Sequence, residues 1–136
     1  MLEILTFIIN TLKNSTGVTS IVPATQILVG QVDIVEETQA GLQLPQINAH
    51  VVSESTRTVP TNARDTMVQV DIWSRNSMME VVQVYEFILQ ALNYSIANVN
   101  TAHIFWDRSS SCVDMFESDR TIWHRAVTFE FWSMKP

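Results

Sequence analysis

The hydrophobic pattern of residues 66–93 changes its period partway along the segment. Up to Trp73 the apolar side chains alternate, so the buried face of a predicted strand carries Val68, Val70 and Ile72. From Ser77 onward they recur every three or four residues, which predicts a long helix that covers a sheet. Its apolar stripe comprises Met78, Val81, Tyr85, Ile88, Leu89 and Leu92.

The start of this helix carries a capping signal. Ser77 and Glu80 have the spacing of a capping box, in which each side chain accepts a hydrogen bond from the other residue's backbone N–H. Ser77 is therefore the predicted N-cap, and Asn93 is a residue at which the helix can end.

A helix and a strand are predicted ahead of this segment. Residues 2–14 form an amphipathic pattern that predicts the helix. Residues 27–35 are rich in β-branched side chains and predict the strand, with Gly30 as a candidate bulge. The stripe of the helix comprises Leu5, Ile8, Ile9 and Leu12, with Met1 and Ile4 beside it.

Pro45 opens a second predicted strand, which leads into the polar and aperiodic residues 55–65. A structureless segment of this length in a compact domain is usually functional or disordered. We therefore expect residues 55–65 to form a mobile hairpin loop that becomes ordered against a neighbouring molecule, with Arg57 and Arg64 pairing with acidic groups there.

The last predicted strand, residues 120–133, has apolar residues on both faces. Val127, Phe129 and Phe131 lie on one face, while Ile122 and Trp132 lie on the other, so a neighbouring molecule is a candidate cover for the second face. The order of elements predicts a single α+β domain over residues 1–136. Its mainly antiparallel sheet carries the N-terminal helix and the long central helix on one face.

The composition is poor in charge and rich in large apolar side chains. Charged residues make up 16% of the 136, against about 25% in ordinary globular domains, and the chain holds four Trp, six Phe and six Met. Aromatic residues and Met are enriched at interfaces, so the low charge favours an oligomer over the alternative of an aromatic-rich core. The net charge of −6, without a basic run, argues against tight binding to nucleic acid.

The N-terminal segment and the cysteine count bear on location. The apolar N-terminal segment lacks a basic stretch and is too short to span a bilayer, so neither a signal peptide nor a membrane anchor is expected. The single cysteine, Cys112, excludes an internal disulfide and fits a reducing compartment such as a cytoplasm.

The sequence contains no recognisable catalytic or metal-binding motif. Its histidines fall on different predicted strands, and Cys112 has no partner cysteine for a zinc site and no oxyanion-hole motif beside it. The acidic residues near the C-terminus fail the calcium-loop spacing and favour a solvated hairpin. No cofactor is expected, and a small metal- or cysteine-dependent enzyme is the weakest alternative. The residues considered are His50, His103, His124, Asp107, Asp114, Glu117 and Asp119.

Taken in order, three segments resemble the tail-completion proteins of long-tailed bacteriophages, the family of tail terminators and tail-to-head joining proteins. "LPQINAHVVSES" is similar to the family's Leu-Pro strand, and "VQVDIWSRNSMMEVVQVYEFILQAL" to its Gln-Val-Asp-x-Trp strand and the helix that follows. "DRTIWHRAVTFEFW" resembles the closing strand. Residues 110–117 depart from the family pattern because they are more apolar.

The resemblance implies a structural virion protein rather than an enzyme. Such a protein forms a ring, commonly a hexamer, at the head-proximal end of the tail tube, where it ends tube polymerisation and joins tail to head. The implied partners are other copies of the chain, the tail-tube protein and a head-closure or connector protein, with assembly in the cytoplasm of the bacterial host. Genome DNA passes through such a ring without specific binding, since negative charge in the channel repels it.

Six residues are predicted to take part in interactions: Arg57, Arg64, Asp71, Trp73, Arg120 and Trp132. For Asp71 three alternatives are open, namely a channel-lining position, a solvated strand face, or a pair with an arginine across a subunit boundary. A head-closure or other neck adaptor of the same virion is the alternative function within the same class.

Overall fold

The computed structural model describes residues 2–30, 44–56, 63–92, 96–99, 102–118 and 121–134. These residues form three α-helices, a short 3₁₀ helix at Ala24–Gln26 and six strands. The helices are α1 (Leu2–Lys13), α2 (Thr16–Thr19) and α3 (Met78–Leu92), and the strands are β1 (Ile27–Val29), β2 (Gln46–Thr56), β3 (Ala63–Ser74), β4 (Ile96–Val99), β5 (Ala102–Glu117) and β6 (Ile122–Met134).

The described strands form one sheet in the order β1-β2-β3-β6-β5-β4. Neighbouring strands are antiparallel except at one edge, where β1 runs parallel to β2. The side chains of α1 and α3 share a core with one face of this sheet, here called the helix face. The opposite face is called the far face. The predicted α+β class, with a mainly antiparallel sheet and both helices on one face, is confirmed.

The core lies where the sequence periodicity places it. Val68, Val70 and Ile72 of β3 are fully buried on the helix face, beside the buried Val127 and Phe129 of β6. Alternation of side chains along a strand brings each of these sets to one side. The central strands were therefore predicted correctly, including the face that each presents to the core.

The two long helices match their predicted positions, but their buried stripes are rotated slightly. In α3 the buried residues include Val84, whereas Met78, Tyr85 and Leu89 are only partly buried. In α1 the partly buried Leu5 was predicted as core, and the buried Phe7 was missed. The ring of Phe7 meets Phe131 edge-on at 6.3 Å between centroids.

The cap of α3 is only half of the predicted capping box. The Ser77 Oγ atom accepts a hydrogen bond from the backbone N–H of Glu80 at 3.1 Å, as expected for an N-cap. The Glu80 carboxylate instead accepts hydrogen bonds at 2.8 Å from the Ser74 hydroxyl and from the Asn76 side-chain amide. Glu80 thus ties the end of β3 and the connecting turn to the helix.

The prediction for the first strand is corrected at Gly30. The strand ends at Val29, and Gly30 adopts a φ of +104°, a conformation that favours glycine and turns the chain out of the strand. Its N–H donates to the carbonyl oxygen of Ala49 at 2.8 Å. The rest of the predicted strand, residues 31–35, lies outside the described residues.

The predicted loop at residues 55–65 is wrong at both ends. Strand β2 continues to Thr56 and β3 begins at Ala63, with Ser55 opposite Asp65 and Thr56 opposite Arg64. Two paired strands can carry polar side chains where both face solvent. The absence of an apolar period in these residues therefore did not indicate a loop. Residues 57–62 lie outside the described residues.

Candidate interaction surface

The far face of the sheet holds a cluster of polar side chains around Asp71. Its Oδ1 atom accepts a hydrogen bond from the Gln69 side-chain amide at 2.9 Å and lies 2.7 Å from Nε2 of His124. A carboxylate only accepts hydrogen bonds, so the His124 proton is assigned to Nε2. His50 lies further away, with Nδ1 3.9 Å from the second carboxylate oxygen. The cluster joins β2, β3 and β6.

Trp73 covers one side of this cluster. Its ring stacks on the His124 ring with centroids 3.6 Å apart and an interplanar angle of 8°. Ile122 is fully buried beside Trp73, and the partly buried Leu44 packs against both. Part of the second apolar face of β6 is therefore covered within the chain, where the sequence suggested a neighbouring molecule.

Two buried donors of the far face lack a hydrogen-bond acceptor among the described residues. They are the side-chain amide nitrogen of Asn48 and the indole nitrogen of Trp73, in residues that are 1% and 9% exposed. The oxygen of Asn48 does accept a hydrogen bond, from the Gln46 side chain at 3.0 Å. A buried donor without an acceptor is costly, so these groups mark places where an acceptor from outside the described residues can bind.

The edge strand β5 exposes apolar side chains on both of its faces. Val113, Met115 and Phe116 are 60%, 42% and 51% exposed. Strand β4 pairs only with residues Ala102–Phe105 of β5, so within the described part of the chain no strand lies beyond Ser110–Glu117. An exposed apolar strand with a free backbone edge is a template for pairing with another chain. The surface of β5 at 110–117 is here called the β5 edge.

A charge pair holds the β5 edge to the rest of the fold. The Arg125 guanidinium of β6 donates from Nε and Nη2 to the two Asp114 carboxylate oxygens at 2.7 and 3.0 Å. The same guanidinium lies over the Tyr85 ring of α3, 5.0 Å from its centroid. The hydrogen bond from Arg125 lowers the pKa of Asp114, and the same bond raises the pKa of Arg125. This carboxylate therefore adds little net negative charge to the edge.

The β2 side of the sheet is protected against edge pairing where it extends beyond β1. A register irregularity between Val51 and Ser53 disrupts the strand, and Glu54 forms an ion pair with Arg64 at 3.1 Å. Bulges and charges are the devices by which natural proteins prevent unwanted edge pairing. The β5 edge has no such irregularity over Ser110–Glu117.

Four of the six residues predicted to interact are described, and two of those four come together. Asp71 and Trp73 meet through His124, which the prediction did not include. Trp132 lies on the same face but eight residues from His124 along β6, about 27 Å in an extended strand. Arg64 is half-exposed and paired with Glu54. Arg57 and Arg120 lie outside the described residues.

Of the three alternatives for Asp71, only the solvated strand face is contradicted, because the residue is 7% exposed and its carboxylate is hydrogen-bonded within the chain. The position in the sequence could not reveal this, since the main partner lies 53 residues away. The exposed Val113, Met115 and Phe116 of the β5 edge were not among the predicted interaction residues. The sequence did carry a signal for an apolar strand here, because Val113 and Met115 alternate with polar residues, but the segment was interpreted as a solvated hairpin.

Two further classes of site were sought in the described part of the chain. No group of three or more His, Cys, Asp or Glu residues there is arranged to hold a metal ion. No helix among those residues combines the length and apolar character needed to cross a membrane. Cys112 is exposed on β5.

The sequence matches no protein-family model and no curated protein. The fold is similar to that of a chain in a solved structure of the virion of a native gene transfer agent particle. The two chains share 6% sequence identity at a TM-score of 0.53, and the match covers 93% of this chain and 90% of that chain. At this identity the similarity shows a common fold.

Proposed function

We propose that this protein is a structural component of a phage-like virion. In this proposal it forms a ring on the head-proximal end of the tail tube, ends tube polymerisation and provides the surface on which the head docks. The observation that carries the proposal is the fold shared with a virion chain over nearly the whole length of both. The resemblance of three segments to tail-completion proteins supplies the more specific role.

The surface of the chain supports an assembling protein. The β5 edge exposes three large apolar side chains along a strand edge that no described strand covers, whereas the part of β2 that extends beyond β1 is protected by a bulge and an ion pair. A monomeric protein is expected to protect both edges, because an unprotected apolar edge leads to aggregation. Exposure of apolar side chains along the β5 edge favours a defined partner there.

The test is to add the purified protein to a polymerising tail-tube protein from the same virion and to measure tube lengths by electron microscopy. The proposal predicts tubes capped at one end and shorter tubes at higher concentrations of the protein. Binding to DNA-filled heads without any binding to tubes would favour the neck adaptor. Tubes of unchanged length, together with heads that do not bind the protein, would contradict both roles.

A further inference from the structure

Two edge segments of the sheet expose apolar side chains and carry no uncompensated charge, Ile27–Val29 of β1 and Cys112–Asp114 of β5. On the β1 side, Leu28 and Val29 are 39% and 57% exposed, and residues 23–30 contain no charged residue. On the β5 side, Val113 is 60% exposed, and the neighbouring Asp114 is paired with Arg125. Two such edges can meet without like-charge repulsion, even though the chain carries a net charge of −6.

The two edge segments lie at the same level along the strand direction of the sheet. The register links Leu28 to Val113 through one continuous row of cross-strand partners, with Asn48, Asp71 and Ala126 between them. Partners in such a row point to the same face, so both side chains project from the far face. A closed ring has no rise from one copy to the next, and contacts at the same level of the two edges satisfy this condition when the strands run parallel to the ring axis.

The outlines of the two edges are also complementary. Beyond β5, strand β4 is present only at the level of Ala102–Phe105, so no described strand lies beside residues 110–117. Beyond β2, strand β1 is present only at the level of Ile47–Ala49, which leaves a second gap in the described sheet, beside the end of β2 at Ser55 and Thr56. The register places β4 level with that second gap and β1 level with the first.

The geometry points to a second copy of this chain as the occupant of the β5 edge, with β1 of that copy pairing along Cys112–Asp114. Following the strand directions across the sheet, β5 runs antiparallel to β1, so the new pair is antiparallel. Leu28 of one copy then lies beside Val113 of the next. This inference rests on the ring of the proposed function and specifies how its subunits meet.

The pairing joins the sheets of successive copies into one closed β-structure. At the height of the contact each copy contributes β1, β2, β3, β6 and β5. Six copies then give about 30 strands, and at ~4.8 Å between strands the circumference is roughly 140 Å and the diameter roughly 45 Å. A ring of this size leaves a channel after side chains occupy its wall, as a conduit for a genome requires.

A disulfide between copies tests the pairing. The variant carries Leu28→Cys and Val113→Cys in a Cys112→Ser background, so that both remaining thiols are defined. Within one copy the two positions are four strands apart, roughly 19 Å, whereas a disulfide needs Cα atoms within about 7 Å. Oxidation of the assembled protein should therefore give a covalent ladder, up to the full ring, that collapses to monomers on reduction.

Two controls make the result decisive. Val113→Cys alone, in the same background, should give no dimers, because a two-fold contact between identical edges is the arrangement that brings two copies of residue 113 together. Val52→Cys with Val113→Cys places equally accessible thiols at different heights and should give no ladder.

Absence of the ladder in protein that stops tubes would overturn the pairing and leave the proposed function intact. A ladder from protein that does not stop tubes would support the pairing and contradict the function. Dimers from Val113→Cys alone, or a chain that never associates, would overturn the pairing.

Discussion

The Nε2 atom of His124 lies 2.7 Å from Oδ1 of Asp71, which pairs the most buried carboxylate of β3 with a side chain of β6 in the same chain. Both residues are 7% exposed, and Trp73 stacks on the imidazole. This contact gives the Asp71 carboxylate a partner within its own chain. The carboxylate therefore contributes to the stability of each subunit before any assembly takes place.

Replacement of Asp71 should destabilise the folded chain substantially. Asp71→Ala removes the acceptor of the Gln69 and His124 hydrogen bonds in a buried site, and we expect a loss of about 2 kcal/mol in the free energy of unfolding. Glu54→Ala is the matched control, because it breaks the more exposed ion pair with Arg64 and should cost less than about 1 kcal/mol. Equal losses in urea unfolding of the two variants would contradict the importance of the buried pair.

The cap of α3 gives a second prediction. Ser77→Ala leaves the N–H of Glu80 without its side-chain acceptor and should cost about 1 kcal/mol. Ser77→Asp keeps an acceptor at the N-cap and serves as the control, with stability close to that of the wild type. Thermal unfolding that does not distinguish Ser77→Ala from Ser77→Asp would mean that the hydroxyl is not acting as the cap.

Close packing between α2 and α3 gives a third prediction. A Cβ atom added at Gly17 would lie 2.7 Å from Cδ1 of Phe87, so Gly17→Ala forces the ring or the helix to move. We expect a loss of about 1–2 kcal/mol, typical of overpacking. The same substitution in a Phe87→Ala background should cost clearly less, because the clash is gone. An identical cost in both backgrounds, measured by urea unfolding, would refute the contact.

We expect the Asp114–Arg125 pair to make stability depend slightly on pH in the acid range. The hydrogen bond from Arg125 lowers the pKa of Asp114 from its ordinary value of 3.8, so the pair stabilises the folded chain above that pH. This contribution disappears as the pH falls through the lowered pKa, where the carboxylate is protonated in the folded state as well. Because the pair is exposed, its contribution should be about 0.5 kcal/mol.

Asp114→Asn measures this contribution. The difference in unfolding free energy between wild type and variant should be constant from about pH 8 to pH 5 and should vanish as the pH falls through the lowered pKa of Asp114. A difference that persists undiminished in strong acid would show that the hydrogen-bond geometry, and not the charge, accounts for it.

The fold was predictable because its central elements have strong and distinct periods. The alternation through Val68, Val70 and Ile72 fixes which face of β3 is buried, and the three-to-four spacing after Ser77 identifies α3. Such patterns report burial directly, since one strand face or one helix stripe must meet the core. They report boundaries less well, as the end of β1 at Gly30 shows.

The candidate surface was less predictable, because it depends on partners distant in sequence. A polar residue at an alternate strand position, such as Asp71, has the same local pattern whether it faces water or a buried imidazole. Similarly, Val113 and Met115 alternate as a half-buried strand does, and only the sheet order shows that β5 is an edge at this level. The order of strands in a sheet depends on pairing between segments distant in sequence, and a local hydrophobic pattern does not specify that pairing.

The mass of the assembled protein tests the account most directly. Six copies of 15.5 kDa give about 93 kDa, and native mass spectrometry over a concentration series, with electron microscopy of the same sample, should find closed rings of that mass. Subunits that remain monomeric when dilute should form these rings as the concentration rises or when tail tubes are supplied. A chain that stays monomeric under both conditions, or that grows into open filaments without a limiting mass, would contradict the account.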